Sequence, residues 1–338
     1  MAFAPQRAGR AAGAGRAARG DGRVRVVGWP VAGGLVAGTV LDAIFADPRR
    51  GHPVAAFGRA AAALEARDYA DSRGRGAAHA AACVLAVAAP AVALHRRTRG
   101  RPPWQVITVA TAVWAVTGAR SLRFEAERAA SSLLRRDLAA ARAVLPSLCG
   151  RNPATLDAAG MARAVVESVA ENTSDAVVAP LLWGAVAGIP GLVAYRAVNT
   201  LDAMVGHRSP RYLRFGWASA RMDDVANWIP ARVTAALTAA CAPLVTGTSP
   251  VSVLNVVRRD GGRHPSPNAG RCEAAFAAAL GVCLGGTNVY GGVTETRPDL
   301  GEGRAPEPED IRRAVLLSRA VTVSVTALAV LVALLTGG

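Results

Sequence analysis

Residues Glu167–Arg232 read ESVAENTSDAVVAPLLWGAVAGIPGLVAYRAVNTLDAMVGHRSPRYLRFGWASARMDDVANWIPAR. An apolar run from Ala176 to Val198 is interrupted only by Tyr195 and Arg196 near its end. Polar clusters flank it. Glu167, Glu171, Asn172 and Asp175 come before; Asn199, Asp202, His207, Arg221, Asp223, Asp224, Asn227 and Arg232 follow. A soluble core has no use for so many carboxylates and amides beside its most apolar segment. A membrane enzyme with a polar site at the bilayer surface does. Gly188-Ile-Pro-Gly191 breaks the run in its middle, which predicts a kinked or re-entrant segment rather than a straight span.

Working outward, the expected fold is all-α: a polytopic integral membrane protein with about four to six membrane segments. Upstream candidates are Val26–Ala46, Ala77–Leu94 and the slightly short Trp104–Gly118. Downstream candidates are Val233–Val245, Ala274–Leu284 and the final Ala320–Leu335, the last within a C-terminal helix over 314–336. Between Ala119 and Ala164, Glu125, Arg128, Arg135, Arg136 and Arg142 alternate with Leu and Ala at helical spacing, which predicts amphipathic surface helices. Residues 1–25 form a Gly/Ala/Arg-rich tail with no apolar core of its own, expected to be disordered. Residues 26–338 then make one membrane-embedded domain, with 293–313 as an acidic, Pro- and Gly-containing surface loop. No repeat of about 20 to 50 residues is apparent.

The chain is 51% hydrophobic and 19% charged, with a net charge of +15. All 39 basic residues are arginine, a skew that belongs with the abundant Ala and Gly as GC-rich coding. They are spread over loops without interleaved aromatics, so nucleic acid is not an expected partner. Positive loops suit anionic phosphate ligands and an anionic lipid surface. They occur on too many loops to orient the chain. The five cysteines form no CxxC pair and read as buried thiols.

Several clusters could carry chemistry. On a helix, Glu167 and Glu171 share one face, with Asn172 and Asp175 on a neighbouring one; this suits Mg²⁺ or a substrate, or equally a solvated helix end. Asn199 and Asp202 are i,i+3 neighbours that could also be a helix cap. Asp223 pairs with Asn227 at i+4. Arg221 pairs with Asp224 at i+3, as an ion pair or as part of a Mg²⁺–nucleotide site. Pro230 should end that helix, leaving Arg232 to reach a phosphate. In His264-Pro-Ser-Pro-Asn268, Ser266 is the expected N-cap and Pro267 the first helical residue, either an ordinary cap or an anion site by its free amides. LGGTNVYGG, over Leu284–Gly292, reads as a Gly-rich turn and not a Walker A loop, since no GK[ST] follows. GxGxxG, HExxH and GxSxG are also absent.

Six blocks in order, DAIFADPRRGHPVAAFGR, ESVAENTSDAVVAPLLWGAVAGIPG, YRAVNTLDAMVGH, FGWASARMDDVANWIPAR, RDGGRHPSPNAG and LGGTNVYGG, resemble the CobD/CbiB family of cobalamin biosynthesis from about Asp42 to Gly292. The resemblance implies an integral membrane adenosylcobinamide-phosphate synthase at the cell membrane with a cytoplasmic site. Such a ligase joins the propionate carboxyl of adenosylcobyric acid to aminopropanol or its phosphate. It implies ATP and Mg²⁺, activation through an acyl phosphate, the corrinoid as substrate, and other corrinoid-assembly enzymes as partners. The roles that follow are expectations. Asp223, Asp224, Glu171 and Asp202 are the catalytic carboxylates, and Asp175, Asp223 and Asp224 the Mg²⁺ ligands. His264 is the favoured base over His207 and His52. Arg196, Arg221 and Arg232 clamp phosphate. Asp47, His52, Asn172, Asn199, Asn227, Ser266, Asn268, Asn288 and Tyr290 contact substrate. Two rivals remain. A polytopic transporter or permease for an anionic substrate should show paired repeats of spans. A membrane scaffold leaves the HPSPN and ARMDD clusters unexplained.

Overall fold

The structure is a computed structural model, and it describes residues 28–46, 51–150, 152–290 and 293–336. Asp47 and the residue 1–25 tail lie outside the described residues, as do residues 26 and 27. Among the described residues, fourteen α-helices and one β-hairpin follow in order: α1 Trp29–Phe45, α2 Pro53–Asp68, α3 Arg73–Thr98, α4 Pro102–Val116, α5 Ala119–Leu134, α6 Leu138–Val144, α7 Ala158–Thr173, α8 Ala179–Leu201, α9 Tyr212–Phe215, α10 Trp217–Ala226, α11 Trp228–Val245, α12 Pro250–Asp260, α13 Ala269–Leu280, β1 Leu284–Tyr290, β2 Val293–Leu300 and α14 Pro308–Thr336. Among the described residues, four stretches are long and apolar enough to cross a membrane: α3, Ala158–Gly206, α11 and α14.

The central stretch does not cross as one rod. Gly188 sits at φ 61, ψ −145, a conformation open to glycine and strained for any L side chain. Beyond it the chain turns back on itself. A Cβ on Gly191 would stand 2.2 Å from the Trp183 carbonyl oxygen, and one on Gly184 would stand 2.9 Å from Leu192. The Tyr195 hydroxyl reaches the Asp175 carbonyl at 3.1 Å. Twenty residues of straight helix would hold them ~30 Å apart. Residues 179–187 and 189–201 of α8 are therefore the two limbs of a re-entrant hairpin. The predicted Gly/Pro break is its bend, and the His95 ring of α3 packs where a Gly188 Cβ would point.

Small residues let α1 and α4 approach closely. Cβ atoms on Gly34 and Gly38 would stand 2.6 and 2.4 Å from the Cβ atoms of Val109 and Val113. This is the small-xxx-small spacing by which helices pack without a water-driven hydrophobic effect. The α4 and α12 helices begin with proline after a non-helical residue, as does α2, where His52 Nδ1 accepts from the Val54 N–H at 3.1 Å.

Several sequence expectations change. Ala274–Leu284 is not a span: α13 is 12 residues long and Cys272, Ala274, Phe276 and Ala279 are fully enclosed, so it is a core helix. LGGTNVYGG is mostly a strand rather than a turn, and 293–313 is not wholly loop. Residues 284–290 pair antiparallel with 293–300, and α14 starts at Pro308. Anchors explain the strand: the Gly285 N–H donates to Glu167 Oε1 at 2.7 Å and Arg163 donates to the Thr287 carbonyl at 2.9 Å. Glu167 thus serves the hairpin. Pro230 does not end a helix; it lies in the first turn of α11. Finally, α13 begins at Ala269 with Asn268 at its N-cap position, while the Ser266 hydroxyl accepts from the Asn268 and Ala269 N–H groups at 3.3 and 3.2 Å.

Candidate active site at the open end of the re-entrant hairpin

Both limbs of α8 lead into the same local sequence. NTSDAVV at 172–178 and NTLDAMV at 199–205 agree at Asn, Thr, Asp, Ala and the last Val. They also fold alike. Each threonine hydroxyl donates back to the carbonyl four residues earlier: Thr173 to Val169 at 2.6 Å and Thr200 to Arg196 at 2.7 Å. Each motif then passes into a π-turn, Ser174–Val178 and Asp202–Gly206. Such hydroxyl bonds bend helices, and single π-turns concentrate at functional sites. The duplication stands in the sequence at a spacing of 27 residues, but the matching stretch is only seven residues long, too short to read as a repeated unit.

Because the limbs run antiparallel, the aspartate of the first motif faces the asparagine of the second. Asn199 Nδ2 donates to Asp175 Oδ2 at 3.2 Å and to Asp223 Oδ1 of α10 at 3.3 Å. Arg196 Nη1 donates to Asn199 Oδ1 at 3.3 Å and so fixes which way the amide points. On the far side of Asp223, Asn227 Nδ2 donates to Oδ2 at 3.0 Å. The Tyr195 hydroxyl donates to Asn227 Oδ1 at 2.8 Å. Tyr195 belongs to this network and was missed because it reads as an ordinary interruption of an apolar run.

The reciprocal half is open. Asn172 turns back and donates to the Ser168 carbonyl at 2.9 Å and hydroxyl at 3.2 Å. The Asp202 carboxylate makes no hydrogen bond or ion pair among the described residues. It lies over Gly206, where a Cβ would stand 1.8 Å from its Oδ1. Asp223, Asp224 and Glu171 are its charged neighbours. Burial pushes the Asp223 carboxyl above its ordinary range; the Asn227 and Asn199 amides pull it back, and the Asp224 charge adds to the rise.

The structure therefore gathers Asp175, Asn199, Asp223, Asn227 and Arg196, with Asp202, Asp224 and Glu171 beside them. Other expected residues are engaged elsewhere. Arg221 pairs with Asp224 at 3.1 Å on an exposed face. Arg232 donates to the Trp228 carbonyl at 2.6 Å and stacks 3.9 Å over its ring. His52 caps α2. His264 is buried: Nδ1 accepts from the Ser266 N–H at 3.0 Å, and Nε2 lies 4.0 Å from the buried Glu273 carboxylate. The turn it organises touches the site through Asn268, whose Nδ2 donates to the Asp224 carbonyl at 2.9 Å. Asn288 and Tyr290 fall in β1. A groove of about 420 Å³ along α5, lined by Phe124, Arg128 and Arg135 among others, holds none of these residues.

No group of three or more His, Cys, Asp or Glu surrounds a common point among the described residues. What exists is a pair of carboxylates, Asp175 and Asp223, converging on one amide. That donor set fits Mg²⁺, which is usually held by one or two carboxylates together with substrate phosphates.

The model of the family described as CobD/Cbib protein matches residues 35–318. The "Cobalamin biosynthesis protein CobD" of Mycobacterium tuberculosis (strain ATCC 25618 / H37Rv) is 54% identical over 298 residues, covering 88% of this chain and 94% of that one. The protein of the same name from Geobacter metallireducens is 45% identical over 280 residues, covering 80% and 87%. That from Rhizobium meliloti is 42% identical over 298 residues, covering 83% and 90%. No solved structure matches. The family model spans the hairpin, its paired motifs and α10, and the chain belongs to the CobD/CbiB family.

Proposed function

We propose that this protein acts in cobalamin biosynthesis as an ATP-dependent acid–amine ligase of the cell membrane, with its site open to the cytoplasm. It joins the propionate carboxyl of adenosylcobyric acid to the amine of aminopropanol or its phosphate. The observation that carries the reading is the Asp175–Asn199–Asp223–Asn227 network at the open end of the hairpin, within a chain 54% identical to a relative named for cobalamin biosynthesis.

A carboxylate does not acylate an amine in water, so one of its oxygens must be made into a leaving group. In the first step the propionate oxygen attacks the γ-phosphorus of ATP, giving an acyl phosphate and ADP. In the second the amine nitrogen attacks the acyl carbon, the C–O bond breaks, and phosphate departs. Mg²⁺ would neutralise charge on the transferring phosphoryl group. Asp175 and Asp223 would hold it. Arg196, turned toward the site by Asn199, would bind a phosphate oxygen.

The amine arrives protonated and must lose a proton before it attacks. Asp202 is placed for this in our reading. In the first motif Asp175 accepts an N–H from Asn199; in the second the equivalent position is open, and the substrate ammonium would supply that N–H. Asp202 both orients the amine and takes its proton. His264, enclosed against Glu273, would position the Asn268 turn rather than move protons. A permease remains the alternative, since re-entrant hairpins also occur in transporters.

The test uses purified protein in lipid nanodiscs with ATP, Mg²⁺, aminopropanol phosphate and adenosylcobyric acid carrying ¹⁸O in its free carboxyl. One ¹⁸O atom should appear in the released phosphate for each amide formed. Amide without label in phosphate removes the acyl phosphate; no amide at all removes the ligase reading.

A further inference from the structure

Helix α10 shows two faces. Asp223 and Asn227 look inward to the network, with Ser219 buried one turn earlier. Outward stands a stripe at helical spacing that runs across the junction into α11: Trp217, Arg221, Val225, Trp228 and Ile229. Val225 is 76% exposed, Ile229 62%, Trp228 53% and Trp217 43%. Leu213, just before, is 62% exposed. A surface facing water has no reason to gather these side chains on one face.

Two observations say what covers the stripe. The first is charge. Each tryptophan carries an arginine: Arg73 stands 5.3 Å over the Trp217 ring and Arg232 3.9 Å over the Trp228 ring. Tryptophan with arginine beside it is the pairing that sits at a membrane–water boundary, the ring among headgroups and the guanidinium on phosphate. The second is continuity. The 10 residues of α10 are too few to cross a bilayer, but α11 begins two residues later and is long and apolar enough to do so. Its first residue is Trp228.

We propose that α10 is an in-plane interfacial helix, its Trp217–Val225–Ile229 face sunk into a phospholipid layer, with Arg73 and Arg232 beside it on headgroup phosphates. The bilayer surface is then a wall of the site, since it seats the helix that carries Asp223 and Asn227. This assignment does not depend on the reaction proposed above.

The test puts a photoactivatable diazirine amino acid in place of Val225, whose exposure leaves little packing to lose. The full chain is reconstituted in vesicles of phosphatidylcholine and phosphatidylglycerol and illuminated. A second preparation carries the same group at Glu302, an exposed position ion-paired with Arg259. Peptides bearing position 225 should carry phospholipid adducts several-fold more often than those bearing position 302. Equal labelling, water-quenched product alone, or crosslinks to a second copy of the chain would each overturn the proposal.

Discussion

Replacing Asn199 by alanine should disable the site without unfolding the protein. One amide nitrogen holds two carboxylates, at 3.2 and 3.3 Å. A hydrogen bond to a charged group contributes about 1.5–3 kcal/mol. Both bonds are long, so the lower end applies, and losing two removes ~3 kcal/mol. The carboxylates are then left facing each other. At ~6 Å and an effective dielectric constant near ~20, two unit charges repel by about 3 kcal/mol. The protein escapes that repulsion by binding a proton. Burial already raises the Asp223 carboxyl and the Asn199 amide is one of the groups holding it down, so removing that amide shifts Asp223 further toward its protonated form. A loss of ~3 kcal/mol from the productive state is about a hundredfold in rate. Amide formation should therefore fall by about two orders of magnitude at pH 7 and recover in part as the pH rises, where Asp223 ionises again. The assay is the pH–rate profile of wild type and Asn199→Ala in nanodiscs, with circular dichroism to check folding. A variant with wild-type rate and an unmoved profile would refute the electrostatic role given to this amide.

Gly188→Ala should cost about 1–3 kcal/mol in backbone strain alone, plus the clash of a Cβ 2.8 Å from the His95 ring, read as lost expression of folded protein or a lowered melting temperature. Asp202→Asn should leave folding and nucleotide binding intact while abolishing amide formation, and raising the pH should restore it in part by deprotonating the free amine. The Arg259 and Arg263 guanidiniums and the Gly301 N–H hold Asp260 down to about 2 from 3.8, so its contribution to stability is full above the unfolded value and is lost as pH falls through that window. Thermal unfolding between about pH 5 and pH 2 should show that loss in wild type and a flatter profile in Asp260→Asn. Tyr195→Phe should slow the reaction modestly, about tenfold, since Asn227 keeps its bond to Asp223 but loses the hydroxyl that aims it.

The apolar run, its Gly-Ile-Pro-Gly break and the polar residues around it were legible in the sequence because each rests on local chemistry. A glycine at positive φ and a proline stop can be read from composition. The convergence of Asp175 with Asp223 could not: it exists because the bend at Gly188 reverses the chain and α10 returns beside it. The β-hairpin stayed hidden because its glycines read as a turn, while pairing with β2 and the anchors Glu167 and Arg163, far away in sequence, hold its first strand extended. In the same way α13 has the apolar content of a span, and nothing local says that the other helices enclose it. His264 shows the limit from the other side. Its place in an anion-like turn made it look like the base, while burial encloses its outer nitrogen 4.0 Å from the buried Glu273, nine residues on.

The central claim is that the antiparallel pair of Asn-Thr-x-Asp motifs, with Asp223 of α10, forms the amide bond. Its most direct measurement is single-turnover formation of adenosylcobinamide phosphate by wild type, Asp223→Asn and Asp202→Asn in the same nanodiscs, with ADP release followed in parallel. The account predicts that Asp223→Asn releases no ADP and makes no amide, whereas Asp202→Asn releases ADP but makes no amide. Product at the wild-type rate from either variant would contradict it.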